Sequence, residues 1–173
     1  MKSHLTPSNL MMSLAGGILL LPLLAARPAL AQERPNIVGT WKVVSFEAVS
    51  EATGQREPAR GQHPSGYTIF TPDGRMSVLI TNEGRKAPGS DQDRADLFQT
   101  MVAYTGTYRV QGDRWITKVD VAANPALQGT DQERSFVLEG DRLQEITGAM
   151  PWPLHPDRGL FHFVITYRHN TGE

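Results

Sequence analysis

Short runs of β-branched and aromatic residues follow one another from residue 38 to residue 167, and Gly-, Pro- or Asp-bearing turns separate most of them. This punctuation limits the fold more than any other feature. Runs of 4–12 residues joined by tight turns pair antiparallel with their chain neighbours, whereas parallel pairing needs crossovers of a dozen or more residues. Thr71-Pro72-Asp73-Gly74 is such a turn. Pro72 presets φ, Asp73 bonds locally, and Gly74 supplies a left-handed φ. Gln111-Gly112-Asp113 and Glu139-Gly140-Asp141 repeat the device, each followed by Arg. The flanking runs are Val38–Val49, Tyr67–Phe70, Met76–Thr81, Tyr104–Val110, Trp115–Val121, Arg134–Leu138, Leu143–Thr147 and Leu160–Tyr167. Eight strands in sequential hairpins predict an all-β, eight-stranded antiparallel up-and-down barrel, because closure removes the unpaired edges of a meander. A barrel of eight strands has room for one small ligand.

Two segments depart from the pattern. Ser90 and Asp93 have capping-box spacing, with Asp in place of Glu or Gln. Leu97, Phe98, Met101 and Val102 then recur at helical spacing, which predicts one short helix with a covered face that plugs or flanks the barrel. Met150-Pro151-Trp152-Pro153-Leu154-His155-Pro156 carries three prolines, so it is not the interior of a strand. Trp152 on this stiff loop reads as an exposed lid over the barrel mouth or as a plug on the outer wall.

The N-terminal segment reads as an address rather than as part of the fold. Lys2 and His4 precede an apolar stretch from Leu10 to Leu24, and Ala29-Leu30-Ala31 offers the small residues of a signal-peptidase site. Residues 1–31 are expected to be a signal peptide cleaved after Ala31, and residues 32–173 the barrel domain. The apolar run is shorter than the roughly 20 residues of a membrane span, and Pro22 and Arg27 interrupt it. A periplasmic or secreted location follows as an expectation.

Composition narrows the chemistry. With 17 Lys and Arg against 18 Asp and Glu, the chain has no basic excess for nucleic acid. It has no Cys, which excludes disulfides, thiolate metal sites and Cys nucleophiles. His63, His155, His162 and His169 form no metal-ligand spacing, so neither a metal nor another cofactor is expected; haem held by the single ligand His162 is the variant weighed. No serine sits in a Gly-x-Ser-x-Gly elbow.

Gly39-Thr40-Trp41 resembles the Gly-x-Trp signature of lipocalins. Residues 37–168 more specifically resemble the bacterial lipocalin-like domain family. The matching blocks are Thr71–Met76, Ala103–Tyr108, Asn124-Pro125 with Gly129–Gln132, and Leu138–Leu143. The resemblance implies an eight-stranded antiparallel barrel and no particular reaction. It also implies that Trp41 closes the barrel base, with Arg168 stacked across it as a cation–π partner.

Candidate ligand-binding residues come from alternation along the strands. Tyr104 and Tyr108 share one strand face with Gly106 between them, a shelf for a flat ligand if that face points inward; Arg109 then faces solvent. Asp120 and Arg134 lie at mirror positions about the 123–131 loop and are candidates for a cross-strand pair. His162, of undetermined direction, and Trp152 complete the set. The leading expectation is an exported barrel that binds a small apolar or aromatic molecule. The alternative is an isomerase or cyclase using barrel-lining Tyr with Asp or Glu, such as Glu133, as acid and base. A third is an envelope protein acting through protein contacts.

Overall fold

The computed structural model describes residues 36–172; the expected signal peptide lies outside them. Ten strands occur, β1 (Gly39–Ser50), β2 (Arg56–Pro58), β3 (Ser65–Phe70), β4 (Arg75–Thr81), β5 (Met101–Gln111), β6 (Arg114–Ala122), β7 (Asp131–Glu139), β8 (Arg142–Ile146), β9 (Met150–Trp152) and β10 (His155–His169), with one α-helix, α1 (Asp91–Gln99). Eight of them form a closed antiparallel barrel in the order β1-β3-β4-β5-β6-β7-β8-β10, and β10 returns to pair with β1. The closing register runs from Trp41 opposite His169 to Ser50 opposite Phe161. The two added strands are short extensions: β2 pairs with the end of β1, and β9 with the start of β10. Pro151 fits in β9 because β9 is an edge strand, where a missing N–H breaks no ladder.

The turn chemistry behaves as the sequence predicts. Gly74 has φ of +85°, and the Thr71 hydroxyl accepts from the Arg75 N–H at 3.1 Å, fixing the β3–β4 hairpin. Two β-bulges are not visible in the sequence. On β1 the register shifts between Val43 and Ser45. Trp41 and Val43 are buried before the bulge, and Phe46 and Ala48 after it, so the inward set changes from odd to even positions. On β6 the shift falls at Asp120. Trp115, Thr117 and Val119 face inward, while Asp120 and Val121 both face solvent.

Gly106 sits where β5 and β6 come closest. A Cβ there would lie 2.1 Å from the Lys118 carbonyl oxygen, against backbone that cannot yield. The residue therefore permits a close crossing of two strands. It does not form a shelf for a ligand, because the Lys118–Val119 backbone occupies that space.

Two sequence expectations are corrected. Ser90 and Asp93 do make a capping box, but α1 ends at Gln99 and buries none of its residues. Met101 and Val102, the second half of the apparent stripe, belong to β5. Arg168 does not stack on Trp41. Its side chain is 72% exposed and lies 3.7 Å from Asp141. The Trp41 ring instead meets His169 edge to face at 4.8 Å, and its indole N–H donates to the Ile37 carbonyl at 2.8 Å. Position 168 points outward because 165 and 167 point inward. Trp41→Ala is expected to cost about 3–5 kcal/mol by cavity formation, and Arg168→Ala under about 0.5 kcal/mol. Urea unfolding of the two variants measures both.

Candidate functional site

One end of the barrel is filled by aromatic rings. Phe70 packs on Tyr108 at 5.0 Å and on Trp115 at 5.2 Å, and Trp115 on Phe136 at 5.4 Å. Toward the other end the interior opens into a cavity of about 150 Å³. Its walls are Val78, Ile80, Val102, Phe163, Met150 and Trp152; Gln99 and Arg60 lie on its lining beside them. A cavity of about this volume lined by apolar side chains holds one benzene-sized molecule.

Beside these walls the lining carries a buried polar cluster. Glu145 lies on β8 between β7 and β10, with Phe136 opposite on one side and Ile165 opposite on the other. Arg134 and Tyr167 are each two residues from those partners, at diagonal positions that long side chains span. Arg134 Nε donates to one Glu145 oxygen at 3.0 Å, and the Tyr167 hydroxyl donates to the other at 2.6 Å. The remaining Arg134 nitrogens donate to the Glu133 carbonyl at 2.7 Å and to Gln132 Oε1 at 3.1 Å. The Arg134 and Glu145 side chains are only 13% and 9% exposed. Such a pair is tolerated because every charged atom has a partner.

Burial and neighbouring charge set the protonation states. Desolvation pushes the Tyr104 phenol up to about 12, the Arg134 charge working against it. Desolvation also pushes Tyr167 well above the ordinary phenol value, and the charge of Glu145 adds to this. Desolvation alone would lower Arg134, but Tyr104 and Glu145 together hold it above the ordinary arginine value. At neutral pH the cavity floor therefore presents two neutral phenols and a charged guanidinium.

The candidates from the sequence are distributed unevenly. Tyr104 and Tyr108 do face inward and Arg109 outward. The two phenols are separated by four residues of strand, roughly 13 Å. Tyr104 lines the cavity, but Tyr108 belongs to the filled end, where its hydroxyl donates to the Thr71 carbonyl at 3.2 Å. Arg134 is inside. Asp120 is not its partner: Arg134 lies opposite Trp115, and Asp120, out of phase with the inward Trp115, Thr117 and Val119, faces the outer wall, where it pairs with Arg75. Glu133 also faces out and pairs with Arg114. His162 points away from the interior, opposite in phase to Phe161 and Phe163, with Nδ1 2.6 Å from Glu51. Trp152 is buried rather than exposed, packed edge to face on Phe161 at 5.4 Å, and lies in a short strand rather than a loop. Among the described residues no three His, Asp or Glu side chains gather as a metal site.

Glu145 and Tyr167 were missed, although a signal existed. Leu143 and Glu145 alternate in phase, as do Phe163, Ile165 and Tyr167, so the same period that buries the apolar residues buries these two. Arg60 carries no periodic signal, since it follows β2 in a Gly/Pro-rich connection.

A closed eight-stranded antiparallel barrel with an internal, largely apolar cavity is the architecture of barrels that hold one small ligand. The model of the lipocalin-like domain family matches residues 38–167, and the chain belongs to that family. A comparison with curated proteins returns no match.

The buried cluster generates a stability prediction. Glu145→Ala is expected to cost about 3–5 kcal/mol, because it leaves a buried guanidinium uncompensated, whereas Arg134→Met with Glu145→Leu restores most of the loss. Denaturant unfolding of the single and double variants distinguishes these. Stability has a second, alkaline dependence. Tyr104 titrates higher in the folded chain than a free phenol, whose value is 10.0. The unfolded chain therefore loses that proton first, and the contribution of the neutral phenol, complete below pH 10, falls as the pH rises toward about 12. Ultraviolet titration of Tyr104→Phe against the parent protein isolates it.

Proposed function

We propose that this protein binds a small apolar or aromatic molecule inside its barrel, and that residues 1–31 are a signal peptide that delivers the barrel beyond the cytoplasmic membrane. The observation that carries the binding reading is the cavity beside the Arg134–Glu145–Tyr167 cluster. Its walls are apolar, its volume suits a single ring, and its polar groups are few and convergent, as in small-molecule sites. Trp152, Met150 and Leu154 line it from the segment around β9. The export reading rests on the basic start, the apolar run and Ala29-Leu30-Ala31.

Acid–base catalysis fits the same site less well. A general acid works best with a pKa near the operating pH. Burial moves Tyr104 and Tyr167 away from neutrality, and both Glu145 oxygens already accept hydrogen bonds. A protein acting only through its outer wall would have no use for an internal cavity, and a core filled like the Trp115 end would serve it as well.

Two measurements test the proposal together. Native mass spectrometry of protein purified from the cell envelope is expected to give a chain beginning at Gln32, with additional mass released on denaturation. Toluene titrated by calorimetry is expected to bind the parent protein and to lose that binding in Val102→Trp, which fills the cavity. A chain retaining Met1 would remove the export reading. Toluene affinity that is undetectable in the parent, or unchanged in the variant, would remove the cavity as the site.

A further inference from the structure

Two guanidinium groups line the cavity, and only one has a counter-charge. Arg134 is matched by Glu145. Arg60 follows β2 beside the buried Ala59, and its backbone carbonyl accepts from the Glu83 N–H at 3.0 Å, which ties the loop to the end of β4. Its Nη1 donates to Asn82 Oδ1 at 2.8 Å, and its Cζ lies 4.9 Å from the centre of the Phe46 ring. Its Nε is buried and has no hydrogen-bond partner. Among the described residues no carboxylate lies within 4.0 Å of it. Glu83, the acid joined to it through the backbone, turns its carboxylate to the N–H groups of Gln62 and His63 at 2.8 and 3.1 Å.

The contrast with the other arginines is physical. Arg56, Arg75, Arg94, Arg109, Arg114 and Arg158 are all more exposed than Arg134 and each has a carboxylate partner, while Arg85 and Arg142, which have none among the described residues, are exposed and solvated by water. Arg60 is more desolvated than any of these, and a desolvated charge with an unfilled donor is costly. Burial alone draws its pKa down to about 10, which still leaves it charged at neutral pH. With neutral phenols at Tyr104 and Tyr167, the lining of the cavity carries one net positive charge.

From this unmatched guanidinium on an apolar, ring-sized cavity we infer that the ligand is a small aromatic carboxylate, its ring among Val78, Val102 and Phe163 and its carboxylate on Arg60. A carboxylate supplies the acceptors that Arg60 lacks, with charge-assisted hydrogen bonds in fork geometry. The Phe46 ring behind the guanidinium holds it in place by a cation–π contact. The inference deepens the binding reading above and depends on it.

The test compares phenylacetate with phenylacetamide, which has the same shape and no charge. Both are titrated near pH 7 into the purified protein, followed by NMR at the Trp152 indole N–H and the Val102 amide. Phenylacetate is expected to bind at least about tenfold more tightly, as a hydrogen bond to a charged group implies. Arg60→Gln is expected to bring the two ligands within about twofold, while Arg60→Lys, which keeps the charge but loses the planar fork, is expected to show a reduced carboxylate preference. Equal binding of the two ligands to the parent protein would overturn the assignment to Arg60 and leave the cavity as a binding site. So would a carboxylate preference that survives undiminished in Arg60→Gln. Failure of both ligands to move either resonance would overturn the binding reading together with the inference.

Discussion

The pairing of β1 with β10 is the interaction on which the rest of the structure depends. It joins the first and last strands of a meander into a barrel and so converts an open sheet with two unpaired edges into a surface with an inside. Every inward position then faces a single shared volume. At one end that volume is consumed by Trp41, Phe70, Trp115, Phe136 and Tyr108. At the other, the side chains on the walls are smaller or stand apart, and space remains. A bulge in β1 contributes to this partition. It puts Phe46 and Ala48 inside after Trp41 and Val43, and Phe46 forms both a wall of the cavity and the surface beneath Arg60.

Charge inside the barrel is arranged with the same economy. Glu145 is reached diagonally from β7 and from β10, so one carboxylate serves both Arg134 and Tyr167. Replacing such a cluster by apolar side chains often leaves stability unchanged or higher, so its presence is not explained by stability alone. What it does provide is a fixed polar surface next to an apolar space. The desolvated phenols stay protonated, and the guanidinium stays charged. Arg60 adds a second cation on the lining without a counterpart, which gives the cavity a sign as well as a shape.

Much of the fold was legible because it depends on local chemistry. The turn at Pro72-Asp73-Gly74, the eight barrel strands and the Ser90–Asp93 capping box are each determined within a few residues. The site was legible only where strand phase alone decided direction. Tyr104 faces inward as the alternation requires, and Glu145 and Tyr167 carried the same signal. Asp120 was misplaced because mirror positions about a loop do not fix register: β6 and β7 pair so that Arg134 lies opposite Trp115, and Asp120 alternates to the outer wall. The Leu97–Val102 stripe misled for a related reason. Helical spacing continued across the Thr100 cap into a strand, so half of it belongs to another element. Arg168 failed as the partner of Trp41 because the neighbouring inward residues, Ile165 and Tyr167, put position 168 outside.

The sequence by itself determined the number of barrel strands, their antiparallel order, the turns between them and the family to which residues 38–167 belong. Each of these follows from period, turn residues or a run of matching positions, and none needs a contact between distant segments. The tertiary structure alone decided where the interior is empty, which acid meets Arg134, and that Arg60 has none. Those outcomes depend on the register between strands, on the β1 bulge and on side chains brought together from strands far apart in the chain, where a shift of one residue exchanges the inside of a barrel for its outside.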